Sequence, residues 1–233
     1  MARTVKEQEY AEKRNAILDV TQRLVYTKGY EQMTIQDILD DLQISKGAFY
    51  HYFDSKQALL EALIERMQQE VEHLLTPIAH DPHLPALEKL QRTFAALAHW
   101  KTAQKAFLLA LLRVWYTDDN AIVRQKARAA MTKRITPLLA TIIHQGLQEG
   151  VLTTPYPDQV SGIALSLIQD LSDTLAGLLL SFEPQRDDLR HVESIVVAYT
   201  DALERVLGAP ATSLQFVDAE MLKQWFVSPQ DNV

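Results

Sequence analysis

The chain contains no cysteine. Disulfide cross-links, thiolate metal sites and a cysteine nucleophile are excluded, and the composition is compatible with a reducing cytosol. Glycine is scarce, at 7 of 233 residues. Most glycines fall between apolar-periodic runs, which leans the fold towards helices, because helix interiors disfavour glycine. No alternation of period two persists along the chain, so no strand is expected. Long apolar runs are missing too: Leu175–Leu180 is far short of a bilayer span, and residues 1–15 are too charged for a secretory leader. These absences read as a soluble, cytoplasmic protein with no membrane partner. A basic excess is also lacking. The 23 Lys and Arg face 30 Asp and Glu, giving a net charge of -7, which on its face argues against a nucleic-acid partner. Catalytic patterns do not occur: there is no glycine-rich phosphate loop, no HExxH helix and no GxSxG elbow. The neighbouring acids Asp40-Asp41 and Asp118-Asp119 diverge if helical. His80 and His83 share a loop without further ligands. No enzymatic activity, metal site or cofactor is expected.

What is present is helical periodicity. Over 5–28, Ala16, Ile17, Val20, Leu24 and Val25 recur at three- and four-residue spacing, and Lys28-Gly29 supplies a cation and a left-handed terminator. Thr34 and Asp37 form a capping box for a short helix over 34–42, with Ile35, Ile38, Leu39 and Leu42 as its stripe. Ser45 caps a third helix running to about Phe53. Asp54 and Ser55 precede a fourth over 56–75. Residues 76–85, with three prolines, read as a loop. Further helical patterns cover 86–100, 102–116, 119–149, 158–182 and 186–207. Pro137 is expected to kink or split the 119–149 pattern, and Gly146 and Gly150 to mark its end. Residues 208–233 read as a tail with a short amphipathic stretch near Ala219–Phe226.

The segment 34–56 carries the chemistry. On its third helix Phe49 and Phe53 share one face, with Tyr52 beside them, while Lys46, Gly47, Tyr50 and His51 occupy another. The aromatic face can anchor the helix. The other offers a cation for base acceptors or phosphate, a bare backbone, a phenol and an imidazole. Two short helices joined by a tight turn make a helix-turn-helix, whose second helix enters the major groove of double-stranded DNA. The starts of the second and fourth helices, with Thr34 and Lys56, suit phosphates. Residues 1–56 hold eight basic and nine acidic side chains, so even here affinity has to come from local placement and from doubling in a dimer. Arg3 and Lys6 either reach an adjacent groove or are a solvated terminus.

This segment resembles the DNA-binding region of the tetracycline-repressor (TetR) family over about residues 10–65. The resemblance rests on Thr34, on Ile-Ser-Lys-Gly-Ala-Phe-Tyr-His-Tyr-Phe at 44–53, on Ser55-Lys56 and Leu59-Leu60, and on Lys28-Gly29-Tyr30 upstream. It departs from the family pattern at Gln43, where glycine is usual, and at the bulkier Leu39 and Leu42. The resemblance implies an all-α fold: a helix-turn-helix domain over 1–55, a helical ligand-binding and dimerisation domain over 56–207, and a tail over 208–233. It places Lys46, Gly47, Ala48, Tyr50 and His51 at base edges and adjoining backbone, with Ser45 at the helix start. Thr34, Tyr52 and Lys56 fall at phosphates.

The resemblance further implies a pocket for an unidentified small-molecule effector, with Trp100, Phe107, Arg113, Met131, His144, Gln169 and Asp173 as candidate lining. For each of these, plain core or surface placement is the competing reading. Helices 158–182 and 186–207 would form a homodimer interface; their stripes, Ile163, Leu167, Leu171, Leu175 and Leu178, then Val192, Ile195, Val196 and Leu203, have enough apolar surface for both core and partner. The function implied is a ligand-responsive repressor that binds a palindromic operator as a homodimer. The alternative is a helical protein–protein adaptor that keeps the fold without binding DNA.

Overall fold

The computed structural model describes residues 2–181, 186–217 and 219–226. Among these the secondary structure is helical throughout: α1 (Ala2–Lys28), α2 (Ile35–Leu42), α3 (Lys46–Tyr50), α4 (Lys56–His80), α5 (Ala86–Ala103), α6 (Lys105–Trp115), α7 (Ala121–Gln148), α8 (Val160–Ser181), α9 (Arg186–Leu207) and α10 (Ala219–Phe226), with one 3-10 turn at Asp118–Asn120. The fold class is all-α, as the periodicity predicts.

The chain divides into two compact units, Met1–Gln69 with Ala106–Ala127, and Glu70–Lys105 with Arg128–Val233. In the first, Ile17, Leu18 and Val25 of α1, Ile38 and Leu39 of α2, Phe49 and Phe53, and Leu59, Leu60 and Leu63 of α4 form one buried cluster. Phe107, Leu111 and Val114 of α6 close it. This unit therefore extends past the boundary expected at residue 55, because α4 and α6 supply the apolar surface that three short helices cannot bury alone. α1 ends as the sequence predicts: Gly29 takes φ 82° and its N–H donates to the Val25 carbonyl at 3.0 Å.

The second unit has a larger core, with Leu90 and Phe94 of α5, Leu139, Ile142 and Ile143 of α7, Ala164 and Leu165 of α8, and Leu203 and Leu207 of α9. Four expectations need correction here. α4 continues to His80, so the predicted loop at 76–85 shrinks to its second half. α7 runs unbroken through Pro137. Gly146 lies within α7 as a close-packing position rather than an end marker: a Cβ there would stand 2.6 Å from Leu152 Cδ1. The described residues after 207 are built into the fold. Leu214 and Phe216 enter the main core, the Phe216 ring centroid lies 4.2 Å from that of Phe94, and buried Glu204 accepts the backbone N–H groups of Thr212 (2.9 Å) and Leu214 (2.8 Å).

Of the two stripes, Leu171, Val192 and Val196 take the core part and pack with Leu222 and Phe226 of α10. The large apolar side chains still exposed on α8 and α9 are Ile163, Leu180 and Val197. By length and composition α8 would also suffice to cross a membrane; it packs Val160, Ala164 and Leu165 into the main core and Leu171 against α9 and α10.

Candidate nucleic-acid interface

The start of α2 is the predicted reciprocal cap. Thr34 Oγ1 accepts the Asp37 N–H at 3.2 Å, and the Asp37 carboxylate accepts the Thr34 N–H at 2.9 Å. Lys28 Nζ sits 2.6 Å from Asp37 Oδ1. That hydrogen bond, followed by those from Thr34, pulls the Asp37 carboxyl from 3.8 down to about 2. The turn to α3 is made by Gln43 at φ 52°, and Ile44 N–H donates back to the Leu39 carbonyl at 3.1 Å. A glycine is usual in the family at this position because the backbone is left-handed there; glutamine adopts the same geometry at a cost.

α3 begins at Ser45, whose Oγ accepts the Ala48 N–H at 3.1 Å. Phe49 is fully buried and Phe53 nearly so, their ring centroids 6.1 Å apart. Lys46, Gly47, Tyr50 and His51 are exposed, and Ala48 is half-buried. A Cβ on Gly47 would meet nothing nearer than Ser45 Oγ at 4.0 Å, so nothing within the protein requires glycine here. The helix is shorter than predicted, ending at Tyr50 rather than near Phe53. The following residues form a tightened turn, with both Tyr52 and Phe53 N–H donating to the Phe49 carbonyl at 2.9 and 3.1 Å.

The residues expected at phosphates are less free. Thr34 is exposed, but its hydroxyl also donates to Asp37 Oδ2 at 3.0 Å. Lys56 is half-buried; its ammonium donates to the Glu31 carbonyl at 3.0 Å and lies 4.5 Å from the Tyr30 ring centroid. Tyr30 answers by donating its hydroxyl to the Lys56 carbonyl at 3.1 Å. Burial, with the charge of Glu31, pushes the Tyr30 phenol up to about 12, so it stays a donor. Lys56 thus fastens the 29–33 loop to the start of α4. Other cations nearby are also spoken for: Arg23 pairs with Asp41, and Arg66 with Asp19.

One residue the sequence reading missed is Tyr10. Its ring lies against Tyr52 and His51. Lys6 is exposed, and the side chain of Arg3 falls outside the described residues. Nothing in the local periodicity of α1 singles out Tyr10.

The seven effector-site candidates divide between the two units. Phe107 is buried in the N-terminal unit's core and Arg113 is exposed on that unit. Trp100 and Met131 pack against the main core of the C-terminal unit. Gln169 and Asp173 of α8 are both held by Arg128 of α7, at 3.1 and 2.7 Å. His144 is exposed, with Nδ1 2.7 Å from the Ala140 carbonyl. A half-buried cation lies in the C-terminal unit: Lys101 Nζ is 3.4 Å from Ser172 Oγ, and desolvation lowers its pKa against the opposing pull of Asp173. Among the described residues no three metal-ligating side chains converge.

A capped two-helix turn presenting an exposed polar face is the arrangement of a helix-turn-helix. The comparisons agree. Residues 17–63 match the family model for bacterial regulatory proteins of the tetR family, and residues 113–176 match a tetracyclin repressor-like C-terminal domain. The transcriptional regulator TtgR of Pseudomonas putida is 26% identical over 159 residues, 65% of this chain and 75% of its own. The transcriptional repressor NemR of Escherichia coli is 25% identical over 189 residues, 78% of this chain and 93% of its own. A TetR-family regulator from Pectobacterium atrosepticum shares the fold, with a TM-score of 0.66 at 19% identity over 87% of this chain and 98% of its own. This chain belongs to the TetR family and is a DNA-binding transcriptional regulator.

Proposed function

We propose that the chain is a cytoplasmic repressor that acts by binding rather than catalysis, engaging a palindromic operator as a homodimer. A small-molecule effector in the C-terminal unit would release it. The observation that carries the reading is the exposed face of α3: Lys46, Gly47, Tyr50 and His51 point to solvent while Phe49 is buried beneath them. Lys46 would donate to base acceptors or phosphate, and Gly47 would let backbone approach the duplex. Two such faces on a dimer would address successive major grooves about 34–36 Å apart. Ile163, Leu180 and Val197 on the outer surfaces of α8 and α9 support those helices as the dimer contact. The repressor sense follows NemR, which bears that description. Trp100 and Met131 remain candidate effector contacts through their place beside the C-terminal core. The effector would act only through a difference in its affinity for the operator-bound and released states.

The decisive experiment pairs two substitutions, with an operator found by selection from random DNA. Lys46→Ala is expected to weaken operator binding by roughly 1–3 kcal/mol. Gly47→Ala is expected to leave the unfolding free energy within about 0.5 kcal/mol of the parent, since its Cβ has open space, yet to weaken binding where the duplex fills that space. Unchanged affinity in both, with folding intact, removes the assignment of α3 as the reading helix.

A further inference from the structure

The turn after α3 is not positioned by α3 alone. The helix stops at Tyr50, so His51, Tyr52 and Phe53 have no following turn of helix to fix their side-chain directions. α1 supplies that support. The Tyr10 ring lies 4.8 Å from the Tyr52 ring, tilted by 39°, and 5.6 Å from the His51 ring at 81°. His51 in turn stands edge-on to Tyr52, with centroids 5.1 Å apart. One turn along the same face of α1, the Arg14 guanidinium covers the Phe53 ring at 5.1 Å. Tyr10 remains 40% exposed, so its contacts with this pair of rings are not explained by burial in the core.

We propose that Tyr10 is a specificity-determining positioning residue. By pairing with Tyr52 and meeting the His51 ring at a steep angle alongside it, it fixes the direction in which the imidazole faces base edges, and so α1 tunes sequence readout without touching a base. The physical reason is geometric: aromatic pairs favour edge-to-face and offset contacts over other orientations. An imidazole that meets two touching phenol rings, each at 81°, therefore presents its nitrogens in one direction. Hydrogen-bond readout in the groove depends on such direction. The proposal rests on the reading of residues 46–51 as the DNA-contacting face.

The test is site selection from random DNA, followed by affinities for single-base-pair variants of the selected operator. It uses the full chain and the variants His51→Ala, Tyr10→Ala, Tyr10→Leu and Tyr10→Phe. Tyr10→Leu keeps apolar cover without ring geometry, which guards against a folding defect in Tyr10→Ala. His51→Ala should lose discrimination at one base-pair position. Tyr10→Ala and Tyr10→Leu should lose about 3- to 10-fold discrimination at that same position, with little further loss in combination with His51→Ala. Tyr10→Phe should restore the parental preference. If Tyr10→Ala and Tyr10→Leu keep discrimination everywhere while His51→Ala loses it, the positioning role is overturned and the reading face stands. If Tyr10→Phe weakens binding uniformly across sequences, Tyr10 is a phosphate contact and the proposal is wrong. If His51→Ala and Lys46→Ala both leave binding unchanged, the reading face and the positioning role fall together.

Discussion

Gly47 in the N-terminal unit and Gly208 in the C-terminal unit use the same missing side chain in opposite ways. A Cβ at Gly47 would point into open space beyond Ser45 Oγ. A Cβ at Gly208, with φ +63°, would stand 2.9 Å from the Thr153 backbone nitrogen and carbonyl carbon. The first absence leaves room for a partner; the second lets the chain pack on itself. The contrast extends to the polar groups. The N-terminal unit closes its helices with local caps such as Thr34–Asp37 and Ser45–Ala48 and keeps its distinctive side chains outside. The C-terminal unit buries Lys89 and Glu204 and satisfies them beyond their own helices, as when Lys89 Nζ donates to Gln145 Oε1 at 2.7 Å and Glu204 accepts the Thr212 N–H at 2.9 Å. A surface that reads a duplex has to expose its chemistry, whereas a closed helical core can hold polar bonds within it.

This comparison can be broken from either side. The largest effect is expected at Gly208→Ala, which adds left-handed strain to a clash with backbone; unfolding in urea should show a loss of about 3 kcal/mol. A loss no greater than that of Gly47→Ala would erase the distinction between the two glycines. Glu204→Ala should cost about 2 kcal/mol by the same measurement, because the Thr212 and Leu214 N–H groups lose their acceptor; an unchanged midpoint would mean that water replaces the carboxylate without penalty. Gln43→Gly should raise stability by roughly 0.5–1 kcal/mol, since the residue already sits at φ 52°. A decrease would show that the Gln43 side-chain bond to the Asp40 carbonyl outweighs the backbone strain.

The smallest effect concerns pH. Asp37 is held at about 2 in the folded chain against an ordinary 3.8. Its contribution is therefore present above the ordinary value and is lost as pH falls from there towards 2. In a pH series of unfolding midpoints, Asp37→Asn should flatten that acid-side decline. An identical slope in the parent would show that the Lys28 and Thr34 contacts are not maintained in solution.

Legibility followed the range of the interactions. The caps at Thr34, Ser45 and Gly29, the buried Phe49 and the exposed quartet of α3 all depend on neighbours within four residues, and each is found where the sequence places it. The end of α3 was misjudged because Phe53 reaches the core through a turn, not a further helical step. For Phe107 the sequence leaves a pocket and a core place open, because its apolar pattern cannot say which of two cores it joins; it joins the N-terminal one. The same ambiguity hid the cover that α10 lays over Leu171, Val192 and Val196. The resemblance places Lys56 at a phosphate and is blind to its engagement, since Tyr30 and the Glu31 carbonyl lie some twenty-five residues away in the chain.

By itself the sequence determined the helical class, the caps, and which face of the recognition segment is apolar, because a helix's periodicity and its end chemistry are local. Only the tertiary structure decided which core each helix joins, which cations are already engaged, and that Tyr10 stands against His51. Those outcomes depend on contacts between residues distant in sequence, and no spacing along the chain encodes them.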